Sequence, residues 1–253
     1  MSAIQIASVA FLAIVGGSAV GMLIGRRLPD HHLESGSKDV VRLAMAMIAT
    51  MTALVLGLVT GSAKSTFDGD DTAVKHTAAL MLALDRDLAD YGPETKEIRD
   101  SLKATVTAKV DSVWSDAGAS AQVRAGVKGA GGGEKLLAAI LALTPTNDAQ
   151  RWYQQRALSL SSDILQTRWF VFNGSDRSVP VVFLIVIVCW LTVLFGSFAL
   201  FAPSNATVVG ALLLCALSVS ASIFLILEMD DPFSGLMRIS DVPLRYALAQ
   251  MGQ

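Results

Sequence analysis

The chain predicts an all-α membrane protein: two transmembrane helical hairpins, four spans in all, bracketing a helical extramembrane insert. Three observations point there. Four apolar runs, 4–25, 40–63, 179–202 and 206–227, each supply roughly the 20 residues that cross a ~30 Å hydrocarbon layer as a helix. The polar stretch between the second and third runs repeats its apolar residues at helical spacing. The composition, 53% hydrophobic and 17% charged, departs from the roughly 45–50% and 25% of soluble domains in the direction of a membrane protein.

The first run is not read as a secretory leader. No basic residue precedes it and Arg26-Arg27 follow it, the reverse of a leader's charge order. No run has a charged residue in its middle, whereas proton relays and ion-coupled pumps place ionisable groups there. This argues against an active transporter. The first hairpin then occupies 1–63, the insert 64–178, the second hairpin 179–227 and a C-terminal tail 228–253.

The insert carries 14 Lys/Arg and 15 Asp/Glu, so it is mixed and nearly neutral. The chain's net charge of −2 gives no reason to expect nucleic acid as a partner. Val74, Met81, Leu84, Leu88 and Tyr91 form a heptad-like stripe. Gly92-Pro93 break that helix and start the next. Ile98, Leu102, Val106, Val110 and Trp114 then recur every four residues. The glycine-rich "GVKGAGGGE", 126–134, reads as a mobile loop. A short helix follows over about 134–143. Thr146 or Asn147 is then the expected N-cap of a long helix ending near Phe172 at Asn173-Gly174. Trp152, Tyr153, Trp169 and Phe172 fall in it, and the reading is core and membrane-interface packing. Lys64 to Phe67 contain neither Gly nor Pro. The second span is therefore expected to run on into the insert, past Asp70-Asp71, as a continuous stalk.

Within the spans, Gly17, Gly21 and Gly25 lie four apart on one helical face. Small residues at that spacing let two helix backbones approach closely in lipid. Thr50, Thr52 and Thr60 in the second span, and Ser218, Ser220 and Ser222 in the fourth, carry hydroxyls. Hydroxyls line pores, and they also bond back to helix carbonyls. The second span's threonines are the candidate pore-lining residues. Cys189 and Cys215 lie inside apolar runs and are expected as small buried hydrophobes, not a disulfide framework. His31-His32 have only Glu34 and Asp39 nearby and are read as solvent-exposed. No catalytic triad, phosphate loop or dinucleotide fingerprint is present. The chain is therefore not read as an enzyme.

The fourth run stops at "LEMDDPFSG", 227–235. Pro232 pushes Asp231 out of the helical region and Gly235 permits a turn. Asp230, Asp231, Pro232, Phe233 and Gly235 are read as a structural turn with Phe233 as its apolar plug. No cofactor is expected. The rival is a divalent cation at Asp230 and Asp231. Calcium takes about six to eight oxygens, more than this segment supplies in a row.

At this turn, and at "ALDRDLADYGPETKEIRDSL", 83–102, the chain resembles the bestrophin-like family of bacterial membrane proteins. The resemblance covers most of the chain. Bestrophins are pentameric anion channels with an Asp-Pro-Phe-Gly-like turn after the last span and an acidic run that helps build a calcium site. The turn matches at Asp231, Pro232 and Phe233, but Ser234 intervenes before Gly235 and only Asp241 follows. The resemblance thus implies the turn and not the metal site.

The functional expectation is an oligomeric ion channel or channel-like pore in the plasma (inner) membrane. Its partners are the lipid bilayer, further copies of the chain, and ions. The alternative is a non-conducting, membrane-anchored interaction or sensing module that uses the helical insert. Arg26, Arg27, Lys38 and Arg42 around the first hairpin loop favour that loop in the cytoplasm and the insert on the external face. Bestrophins place their large extramembrane part in the cytosol, so charge and resemblance oppose one another here.

Overall fold

The computed structural model describes residues 2–27, 29, 35–114, 131–173, 180–203, 205–233 and 235–252. His31, His32, Glu34, residues 126–130 of the glycine-rich stretch, Gly174 and Ser234 lie outside this set, as do the side chains of Trp169 and Phe172. The described elements are helical. They are α1 (Ala3–Gly25), α2 (Ser35–Tyr91), a 3-10 turn (Pro93–Thr95), α3 (Lys96–Trp114), α4 (Gly131–Leu141), α5 (Asp148–Asn173), α6 (Val181–Leu200), α7 (Ala206–Met229) and α8 (Val242–Gln250). Four of these, α1, α2, α6 and α7, are long and apolar enough to cross a membrane. The protein is an all-α, multi-pass membrane protein.

The chain divides into two compact units, Met1–Thr66 with Arg177–Asp230, and Phe67–Asp176 with Asp231–Gln253. The C-terminal tail from Asp231 onward belongs to the second unit. Helix α2 contributes to both and runs 57 residues without a break. The hydrocarbon layer takes only about 20 of them.

In the first unit α1 packs on α6 and α7. Its capping box is complete: Ser2 accepts from Gln5 N–H while Gln5 accepts from Ser2 N–H. Ala7, Ala10, Ile14 and Gly21 form its buried face. The bulky Val9, Leu12, Val20 and Leu23 are exposed, as expected of side chains solvated by lipid. Cys189 and Cys215 are both exposed, which corrects their reading as buried hydrophobes. In a span, apolar character no longer implies burial, because lipid tails solvate a thiol's carbon neighbours as well as a core does.

The second unit has a water-excluded core built from the predicted stripes. Val74, Leu84, Leu88 and Tyr91 of α2 are buried, as are Leu102, Val106 and Val110 of α3. Ile140, Ala157, Ile239, Leu244 and Met251 join the same cluster. Gly92, at φ 141°, takes the conformation that separates α2 from the next turn. Thr95, fully buried, donates its hydroxyl back to the Leu88 and Gly92 carbonyls. Asn147 is the cap of α5, accepting from Gln150 N–H at 2.8 Å.

Two expectations need correction. Gly131, Gly132 and Gly133 are the first turn of α4, not loop. A Cβ at Gly133 would strike the Leu165 side chain, so close packing on α5 takes precedence over the poor helix propensity of glycine. Trp152 is not a core residue. It is 51% exposed, lies edge-on to Tyr153 and receives the Arg156 guanidinium at 5.1 Å from its ring centroid.

Candidate functional site

The membrane part of α2 has three faces. Thr52, Val59 and Ala63, at steps of seven and four, are buried. Val40, Leu43, Met47, Met51, Leu54 and Leu58, at steps of three or four, are bulky and exposed. Ala46, Thr50, Ala53, Gly57 and Thr60, at steps of four, three, four and three, make a third face that is small, partly hydroxylated and also exposed. Gly61 borders it, and a Cβ at Gly57 or Gly61 would meet nothing within 4 Å. Of the three candidate threonines, Thr50 and Thr60 share this open face. Thr52 is 4% exposed and lies on the buried face instead.

The hydroxyl protons are already used within the helix. Thr50 donates to Met47 O at 2.8 Å, Thr52 to Ile48 O and Thr60 to Leu56 O, both at 2.7 Å. What Thr50 and Thr60 offer outward is therefore oxygen lone pairs. On α7, Ser218 and Ser222 bond back in the same way. Ser220 is buried, and its hydroxyl has no partner among the described residues.

The glycine ladder of α1 faces α6. A Cβ at Gly17 would lie 2.6 Å from the Thr192 side chain; one at Gly21 or Gly25 would strike the backbone oxygen of Gly196 or Leu200. A Cβ on Gly196 would meet Gly17 O at 3.1 Å. Gly196, the sole glycine of α6, is the partner that spacing alone did not identify.

At the end of α7, Asp230 is the C-cap and its N–H donates to the Glu228 and Ile226 carbonyls. Asp231 is exposed and Pro232 is buried. Ile239 N–H closes the following loop onto Pro232 O at 2.9 Å. Gly235 holds φ 85°, a conformation that favours glycine. Phe233 packs against the second unit's core and stands edge-on to Trp114, centroids 5.7 Å apart. Among the described residues no three His, Cys, Asp or Glu side chains come together as a metal site.

The segment 83–102 builds a charged cluster that periodicity did not anticipate. Asp85 is 2% exposed and takes a two-pronged grip from Arg99, at 2.9 and 2.8 Å. That side-chain hydrogen bond is the main reason Arg99 holds its proton still more tightly than usual. Gly252 N–H also donates to Asp85, and Lys103 donates to Met251 O at 2.6 Å. The C-terminal residues are thus tied to α2 and α3. Asp87, also buried, has Arg156 Nε 3.0 Å from its Oδ2, but off the line of an N–H bond, so Oδ2 makes no hydrogen bond. Burial raises the Asp87 carboxyl above its ordinary range, Arg156 pulls it down and Asp90 raises it further.

None of the curated proteins and none of the solved structures matches the chain. The bestrophin-like domain matches residues 12–244, from the first span through the Asp-Pro-Phe turn to α8. Three of the four candidate spans, the C-terminal part of the first, the uninterrupted second helix and this turn fall inside that match, and the chain belongs to the bestrophin-like family.

Proposed function

We propose that the chain is one subunit of an oligomeric ion channel or channel-like pore whose path runs between copies along α2. One observation carries the reading. The α2 span is the least covered, 11% of its most apolar stretch being buried against 22%, 28% and 22% for α1, α6 and α7. Its small face bears Thr50 and Thr60. The α1–α6 seam, where Gly21 meets the Gly196 backbone, has no room for water. A water-filled path therefore has to form around a symmetry axis. No catalytic or cofactor role is part of this reading, and Asp230 and Asp231 serve the turn rather than a cation.

The compact basic group Arg26, Arg27, Lys38 and Arg42 supports a plasma (inner) membrane location with the first hairpin loop in the cytoplasm and the insert outside. Cysteines at Arg27 and at Asp148, in a background lacking Cys189 and Cys215, test this on intact cells. An impermeant thiol reagent should label the Asp148 site and spare the Arg27 site; the opposite pattern inverts the topology. For conduction, the purified protein in planar bilayers should give current, and its particles should show ring symmetry with an axial opening. A monomer or a solid dimer without current contradicts the channel reading and favours the interaction module.

A further inference from the structure

Among the described residues, the large apolar or aromatic side chains exposed outside the four spans are Leu141, Trp152, Leu236, Val242 and Tyr246. The last three crowd into 236–246, the stretch that follows α7, and are 84%, 66% and 62% exposed. The inner face of α8, Leu244 and Ala247, is buried in the second unit's core. Its outer stripe, Val242, Arg245, Tyr246 and Ala249, at steps of three, one and three, is exposed and mostly apolar. A helix that is apolar on both faces is ordinarily a buried helix, so water is a poor medium for this stripe. The one charged residue of α8, Arg245, is already held by Asp241 and lies 3.8 Å from Asp111. The stripe therefore offers hydrocarbon and a phenol, not spare charge.

The path of the chain indicates what covers it. Helix α7 ends at Met229, and Pro232, three residues on, accepts from Ile239 N–H at 2.9 Å. At ~3.5 Å per residue, both ends of that loop stay within roughly 15 Å of the end of the span. The headgroup layer beyond the hydrocarbon is about 5–8 Å deep. Leu236 sits midway round this loop, and α8 starts three residues after it closes. Tyrosine favours the headgroup layer, with its ring toward hydrocarbon and its hydroxyl toward water. A second copy of the chain is the poorer occupant, because three side chains fall well short of the ~800 Å² that each partner buries in a stable interface.

We propose that Leu236, Val242 and Tyr246 form an interfacial anchor, seated at the boundary between lipid headgroups and hydrocarbon beside the exit of α7. The anchor rests on the membrane assignment of α7 and not on whether the chain conducts. Because the contact is apolar, it forms on neutral lipid.

The full chain in nanodiscs of neutral phosphatidylcholine provides the test, with nitroxides on single cysteines in a background lacking Cys189 and Cys215. Power saturation reads collisions with oxygen, which concentrates in hydrocarbon, and with a neutral nickel chelate, which stays in water. Leu54→Cys, on the bare face of α2, and Asp148→Cys, at an open position of the insert, set the lipid and water limits. Labels at Leu236→Cys and Val242→Cys should fall between them, with nickel collisions about threefold below the Asp148 site, as expected for ~5–10 Å of immersion. Tyr246→Asp should return the Leu236 label toward the Asp148 value, because a carboxylate is costly at that depth. Nickel collisions at Leu236 and Val242 equal to those at Asp148 would leave the stripe in water and overturn the anchor. Low collisions with both reagents would overturn it too, since protein then covers the stripe; spin–spin broadening that vanishes on dilution with unlabelled chain would identify that cover as a second copy.

Discussion

Phe233 meets Trp114 edge to face, with ring planes at 88°, and the Trp114 indole N–H donates to Ile239 O at 2.8 Å. Because Ile239 N–H in turn bonds Pro232 O, one tryptophan holds both ends of the loop that follows α7. Phe233→Ala should cost about 1.5–3 kcal/mol through lost burial. Trp114→Phe should cost about 1 kcal/mol for the hydrogen bond. Thermal unfolding in nanodiscs measures both. An unchanged midpoint for Phe233→Ala would show that the ring is not a plug.

The α1–α6 seam provides a matched pair of glycines. Gly21→Ala places a methyl against the Gly196 backbone, whereas Gly16→Ala meets nothing within 4 Å. The first should force the helices apart and lower the melting temperature, with Gly21→Leu worse. The second should be neutral or slightly stabilising. Equal effects from the two alanines would remove the packing role of the ladder.

Asp85 and Arg99 should be coupled. Arg99→Met leaves a carboxylate that is 2% exposed without its principal partner, a loss of about 3–5 kcal/mol. The double variant Asp85→Leu/Arg99→Met should recover most of it, because the uncompensated charge is gone. A double-mutant cycle by urea unfolding reads the coupling. Strict additivity would mean that the pair is energetically idle.

Asp87 predicts a pH dependence of the opposite sense to a salt-bridged acid. The fold raises its pKa, so the native state holds the proton where the unfolded chain has already released it. Its contribution to stability is most favourable below the ordinary aspartate value of about 4 and falls as pH rises through the raised native value. Asp87→Asn removes that fall. The melting temperature of Asp87→Asn relative to the parent should therefore rise between pH 4 and pH 7. A relative decline over that interval would show that Arg156 dominates over burial.

Much of this architecture is legible in the sequence because two periodic signals carry it. Hydropathy marks the four spans, and the Val74–Tyr91 and Ile98–Trp114 stripes mark the insert's core. Both depend only on neighbours along one helix. Relations between distant segments are not encoded that way. Arg99 finds Asp85 across a helix break, and Gly252 finds it from the far end of the chain. The helix begins at Gly131 against the poor propensity of three glycines, and Gly133 there packs on Leu165, a contact from another helix. Thr50 and Thr52 look alike as hydroxyl residues in a span. They separate once the helix is rotated into place, one exposed and one buried.

The proposed channel requires that the Thr50–Thr60 face of α2 line its ion path. The direct measurement is current across planar bilayers from single-cysteine proteins lacking Cys189 and Cys215, before and after a small, positively charged thiol reagent. Thr50→Cys and Thr60→Cys should lose current on modification, and Thr52→Cys, on the buried face, should not. Current unaffected at Thr50 and Thr60 but blocked at Ser218→Cys or Ser222→Cys on α7 would contradict the claim and move the path to that helix.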